Sequence, residues 1–143
     1  MVDVFSRIEQ LRAQSFNCSQ ILIILGLEQQ GKNNPDVVKV MTGLGNGLGN
    51  CGKICGVLTG AVCLLGLYAG RGELHEQKNS YLEKMIQELV VWFEEEFGKS
   101  YGGIDCQIIL NDDPWNRMLY CPKMIIETYQ KVMELLENNG FIG

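Results

Sequence analysis

The sequence predicts an all-α fold, a single-domain bundle of about six helices over residues 1–143 around a central, buried, glycine-containing helix. Apolar residues recur at helical spacing along most of the chain, and no stretch shows the alternation of a half-buried strand. The segment from Ile54 to Ala69 is almost wholly apolar and has no polar face, as expected of a helix covered on all sides. The length of 143 residues is ordinary for one domain.

The first part of the chain predicts three helices that precede the central one. Residues 3–14 carry apolar side chains at helical spacing. Asn17 can cap a second helix, from Cys18 to about Gln30, and Gly31 would end it. Pro35 suits the first turn of a third helix.

The remainder predicts a glycine-rich passage, the central helix and three further helices. The passage runs from Gly43 to Gly52 and leads into the apolar segment. A long amphipathic pattern follows from Glu73 to Phe97, with Gly98 as its end. A short helix is predicted from about Asp105 to Leu110, and the last from Pro122 to about Glu137.

Charge and hydropathy exclude several functions. The net charge of −5 and the pI of about 4.9 disfavour binding to nucleic acid or to anionic membrane surfaces. The longest uncharged stretch, Ile54 to Gly70, is shorter than the roughly 20 residues of a membrane span. The first residues lack the basic and apolar regions of a signal peptide. We therefore expect a cytoplasmic protein.

Cysteine is the residue type that carries chemistry here. Without an export signal, metal binding or redox chemistry is favoured over a disulfide framework. Four cysteines are predicted at helix starts, where free N–H groups and the helix dipole stabilise a thiolate and lower its pKa. Four thiolates also match the ligand number of an iron–sulfur cluster or a tetrahedral zinc site. The four are Cys18, Cys55, Cys106 and Cys121.

The other candidate residues have simpler interpretations. Any single free cysteine often only fills space, and Cys63, in the middle of the central helix, is interpreted as core. Cys51 is either a fifth thiol near the site or a loop residue without a role. The only histidine, His75, is expected at the surface.

A glycine pattern at Gly47 to Gly52 matches GxGxxG by letter. A dinucleotide site also needs repeated βαβ units, which the chain does not offer. We interpret the glycines as sources of tight turns and bare N–H groups, and we name Gly52 and Gly56 as candidates for cofactor contact.

The segment Cys55-Gly56-Val57-Leu58-Thr59-Gly60, with single cysteines upstream and downstream, resembles the C_GCAxxG_C_C family of redox-active proteins. The resemblance covers nearly the whole chain and implies that Cys18, Cys55, Cys106 and Cys121 are the family cysteines. Val57 stands where the family has alanine, a change that affects packing and not the thiols. The family is also similar to the non-haem part of split-Soret cytochromes, for which an iron–sulfur-type centre has been proposed.

Three hypotheses follow. The first is a redox protein that binds an iron–sulfur cluster, or another metal, on the four family cysteines and transfers electrons to a redox protein partner. The second is a metal-free thiol–disulfide protein that uses a pair such as Cys55 with Cys51 or Cys18. The redox thiol candidates are Cys18, Cys51, Cys55, Cys106 and Cys121. The third is a helical interaction module with structural cysteines, and a zinc-only site lies between the first and the third. Whether the protein is an enzyme stays open, and a homodimer is compatible with the sequence.

Overall fold

The structure, a computed structural model, describes residues 3–143 and is all-α, as predicted. Its principal helices are α1 (Val4–Ala13), α2 (Cys18–Gln29), α3 (Pro35–Val40), α4 (Gly56–Ala69), α5 (Ser80–Phe93), α6 (Cys106–Ile109) and α7 (Asn116–Asn138). The described residues form no strand, and their isolated β-bridge joins Ile54 to Asp105. None of their helices combines the length and the apolar character that crossing a membrane requires.

The starts of α2 and α3 have the local causes that the sequence predicts. The side chain of Asn17 accepts the N–H of Gln20 at 3.0 Å, and the Gln20 side chain accepts the N–H of Asn17 at 3.2 Å. This reciprocal capping box satisfies N–H groups that the first turn of α2 leaves without a helical partner. Pro35 occupies the first turn of α3.

The central helix α4 is buried, and α2, α5 and α7 pack around it. Its glycines permit the closest of these contacts. A Cβ atom on Gly60 would lie 2.7 Å from the Cα atom of Ser19, closer than real Cβ atoms approach backbone. Gly60 and Gly56, whose Cβ atoms would meet Ser19 and Cys18, thus admit α2 at close range.

The predicted bounds of the long amphipathic helix are wrong at both ends. It begins at Ser80, not Glu73, because the Glu76 carboxylate accepts the N–H groups of Gly72 and Glu73 and holds that stretch as a loop. After Phe93 a π-helical turn and one further helical turn continue it past Gly98 to Tyr101.

The predicted start of the last helix is also wrong. Helix α7 begins at Asn116, so Pro122 lies inside it as the seventh residue. Proline lacks the N–H that would bond back four residues, to Met118, and is unusual at this depth. Cys121 therefore lies in the second turn of α7 and not at a helix start.

Candidate cysteine site

Cys18 is the first residue of α2, and a polar network beside it fixes the start of that helix. Ser19 is fully buried, and its hydroxyl donates to the Met41 carbonyl at 3.0 Å. The Asn17 amide donates to the Thr42 carbonyl, also at 3.0 Å. These bonds attach the segment that carries Cys18 to the glycine-rich passage.

Backbone pairing brings Cys55 and Cys106 together. The N–H of Cys55 donates to the Ile104 carbonyl at 3.0 Å, and the N–H of Cys106 donates to the Lys53 carbonyl at 2.6 Å. Cys55 is the N-cap of α4, and Cys106 is the first residue of α6. Two helix starts that lie far apart in sequence are thus side by side.

The glycine-rich passage closes around these residues. Gly47 has a left-handed φ of 69°, and a Cβ atom there would lie 2.8 Å from the Cβ of Cys106. The N–H of the preceding residue, Asn46, is directed at the thiol of Cys18. A Cβ atom on Gly56 would lie 2.6 Å from that same sulfur. Glycine is needed at both positions because the backbone runs directly against the cysteines.

Cys121 faces the same region from α7, with arginines beside it. The charges of Arg117 and Arg12 both favour its thiolate. Arg117 also approaches Cys106, and its Nη2 lies 3.9 Å from that sulfur. One arginine therefore interacts with two of the four family cysteines.

Each of the four family cysteines lies within electrostatic range of at least two of the others. The charge of Cys18 raises the pKa of both Cys55 and Cys121, and the charge of Cys106 raises the pKa of Cys18 and Cys121. Thiols from four separate parts of the chain thus surround one region. Their roles as ligands or redox thiols stay predictions.

The expectation of lowered thiol pKa values is wrong for three of the four. Burial is the largest effect and raises the pKa of Cys18, of Cys55 and, to about 12, of Cys121. N–H groups at the helix starts do favour the thiolates of Cys18 and Cys55, but loss of water outweighs them. A helix start lowers a thiol pKa only when the sulfur keeps enough contact with solvent.

The remaining candidates differ in position. Cys51 is exposed and lines a cavity of about 220 Å³ that Cys106 and Arg117 also line. Cys63 is half-buried on α4, outside the group of four. His75 lies in the loop before α5, exposed as expected, with its Nδ1 3.5 Å from a carboxylate oxygen of Glu73.

Gly52 contributes through its backbone conformation. Its φ of 71° is left-handed, and its carbonyl accepts the N–H of Gln107 at 3.1 Å. A Cβ atom there would lie 2.8 Å from the Gln107 side chain. Gly52 thus joins the glycine-rich passage to α6, and its contact with a cofactor stays a prediction.

All six cysteines lie within the described residues and are free thiols. Within residues 3–143, no three His, Cys, Asp or Glu side chains are grouped closely enough to hold a metal ion as they stand.

The chemistry of the four family cysteines fits an iron–sulfur cluster or a zinc ion in ligand type and number. Soft thiolates are the ligands that both prefer. Arg117 supplies positive charge beside the anionic centre that four thiolates would make, and the N–H groups aimed at Cys18 and Cys55 are the kind that hydrogen-bond to cluster sulfurs.

Three residues near the sulfurs were not predicted: Asn46, Arg12 and Arg117. Arg117 precedes Cys121 by four residues, which is one helical turn. With the start of α7 placed correctly, this spacing would have predicted from the sequence that Arg117 lies beside Cys121. Arg12 and Asn46 carry no such signal, because only tertiary packing brings α1 and the glycine-rich passage to this place.

The structure is thus an all-α fold in which two arginines lie near electrostatically coupled free thiols. The chain belongs to the C_GCAxxG_C_C family, described as "Putative redox-active protein", whose match covers residues 16–135. No curated protein and no solved structure matches the chain.

Proposed function

We propose that this protein is an electron-transfer protein that binds an iron–sulfur cluster on Cys18, Cys55, Cys106 and Cys121. The single observation that carries the proposal is the electrostatic coupling of these four thiols, since each lies close enough to at least two of the others for their charges to interact. An iron–sulfur cluster bound there would supply reversible one-electron chemistry.

The raised pKa values of the thiols support the binding of positively charged metal ions at this site. Ionising four thiols in this region is costly because burial and mutual repulsion oppose it, as the raised pKa values of Cys18, Cys55 and Cys121 show. Bound iron ions would offset the cost of burial and the repulsion between thiolates, since metal binding deprotonates thiols that are otherwise neutral. Arg117 and Arg12 would offset the negative charge that four thiolates leave.

The same burial makes three of the thiols poor attacking groups, because thiol–disulfide exchange needs the thiolate. This favours the cluster over a metal-free exchange mechanism at these three positions.

The experiment is anaerobic reconstitution with iron and sulfide, followed by iron and acid-labile sulfide analysis and by visible and electron paramagnetic resonance spectra. Wild type should bind both elements. Replacing Cys18, Cys55, Cys106 or Cys121 with serine should remove most of the bound iron and most of the bound sulfide. The matched control is Cys63→Ser on the central helix, which should load as wild type does. Colourless, iron-free wild type, or zinc bound in place of iron and sulfide, would reject the cluster.

A second function is favoured by one observation, the position of exposed Cys51 in the cavity that Cys106 also lines. We propose a Cys51–Cys106 disulfide as the alternative: the two thiols lose two electrons and two protons to a disulfide or quinone oxidant. Thiol counting in metal-free protein after oxidation and reduction tests it. Loss of two reactive thiols in wild type but not in Cys51→Ser supports the pair, and an unchanged count contradicts it.

A further inference from the structure

A cavity of about 610 Å³ lies between α1, α2 and α3. Sites for small molecules commonly measure 300–1,000 Å³ and combine an apolar lining with a few polar groups. This cavity has that composition. Its apolar lining comes from Leu11, Phe16, Ile24, Leu27 and Val38.

The charged side chains that line this cavity are mainly cationic. Arg7, Lys32 and Lys39 line it, against the one carboxylate of Glu28. Glu28 already forms an ion pair with Arg7, because its Oε2 lies 2.6 Å from Nη2 of that arginine. Within residues 3–143, neither Lys32 nor Lys39 forms an ion pair. Two lysines thus offer positive charge at the cavity of a protein whose net charge is −5.

An apolar lining together with unneutralised lysines is complementary to a molecule with an apolar body and an anionic group. We propose that this cavity binds a small amphipathic organic anion, a carboxylate or sulfonate on an aromatic or aliphatic body. The apolar body would occupy the space between Phe16, Ile24 and Val38, and the anionic group would contact Lys32 and Lys39.

The inner wall of the cavity is continuous with the cysteine region. Gln20 and Thr42 line the cavity, and the Gln20 amide donates to the Thr42 hydroxyl at 3.0 Å. Gln20 is also the capping-box partner of Asn17, the residue before Cys18. A ligand here would contact the network that fixes the start of α2.

The test uses anilinonaphthalene sulfonate, an aromatic anion, and its uncharged analogue phenylnaphthylamine, both titrated calorimetrically into the full chain. The sulfonate should bind as one saturable molecule per chain and at least tenfold more tightly than the analogue. Lys32→Glu together with Lys39→Glu should weaken it at least tenfold. Both lysines are exposed, so the fold should tolerate the change.

The matched control is Lys84→Glu together with Lys99→Glu, which changes the net charge equally at exposed positions on other elements. It should leave sulfonate binding as in wild type. Val38→Trp, which fills the cavity without changing charge, should abolish binding while the circular dichroism spectrum stays helical. Equal weakening by both lysine pairs, binding of several molecules per chain, or equal affinity for the uncharged analogue would overturn the proposal.

Discussion

Gly56 lies directly against the sulfur of Cys18, so close that a Cβ atom on Gly56 would stand 2.6 Å from Sγ. The first turn of α4 and the first turn of α2 therefore meet at one cysteine, with no room for a methyl group between them. Four predictions follow from this contact and its surroundings.

Gly56→Ala should displace Cys18 or the start of α4. We expect a loss of about 1–3 kcal/mol in the free energy of unfolding, as for other overpacked sites, together with reduced iron loading. Urea denaturation and iron analysis measure the two effects. The control is Gly66→Ala in the same helix, where a Cβ atom would meet nothing within 4 Å. Gly66→Ala should raise the free energy of unfolding by about 0.5–1 kcal/mol, because glycine inside a helix is destabilising relative to alanine. A Gly56→Ala protein as stable as Gly66→Ala would contradict the close contact.

Asn17→Ala should destabilise the protein by about 2 kcal/mol, because it removes a helix cap and two further hydrogen bonds. The Asn17 side chain caps Gln20, accepts the Ser19 hydroxyl and donates to the Thr42 carbonyl. The comparison is Asn79→Ala: Asn79 caps α5 through one exposed bond to the Tyr81 N–H, so about 1 kcal/mol is expected. Thermal or urea denaturation gives both values. Equal losses would show that the bond to the glycine-rich passage adds nothing.

Alkylation of the metal-free native protein should begin at Cys51. This thiol is exposed, whereas burial raises the pKa of Cys55 and leaves it almost wholly protonated near neutral pH. Iodoacetamide labelling followed by peptide mass spectrometry measures the order. In denaturant all six cysteines should label at similar rates. Rapid native labelling of Cys55 would contradict its burial.

Stability of the metal-free protein should fall as the pH rises above about 9. An unfolded cysteine has a pKa near 8.5, whereas folded Cys121 has a pKa of about 12. Between these values the unfolded chain binds fewer protons than the folded chain, so rising pH favours unfolding. We expect a loss of roughly 2 kcal/mol from Cys121 between pH 8 and pH 10.

Urea denaturation at these two pH values measures the loss. Cys121→Ser should reduce the slope. A stability that does not vary over this range would show that the thiols ionise as freely in the folded chain as in the unfolded one.

The predictions that succeeded rest on local chemistry. The cap at Asn17, the proline that opens α3 and the apolar run of α4 each act within a few residues, so their pattern is visible in the sequence. The failures have two different origins. The loop before α5 depends on the Glu76 carboxylate, and α7 continues past Pro122 because tertiary packing outweighs one missing hydrogen bond.

The candidate site also combines features that the sequence predicts with features that only the tertiary structure shows. Predicted positions at helix starts, together with the family resemblance, select Cys18, Cys55, Cys106 and Cys121 from the sequence. Only the tertiary structure places these thiols around one region and brings the positive charge of Arg117 to Cys106 and Cys121.

The sequence by itself determined the helical class, the central buried helix and the four cysteines, because periodicity and residue type are properties of neighbouring positions. The tertiary structure alone decided how the thiols ionise. A thiol pKa depends on the loss of water and on charges from distant segments, and burial outweighs the helix starts in Cys18 and Cys55.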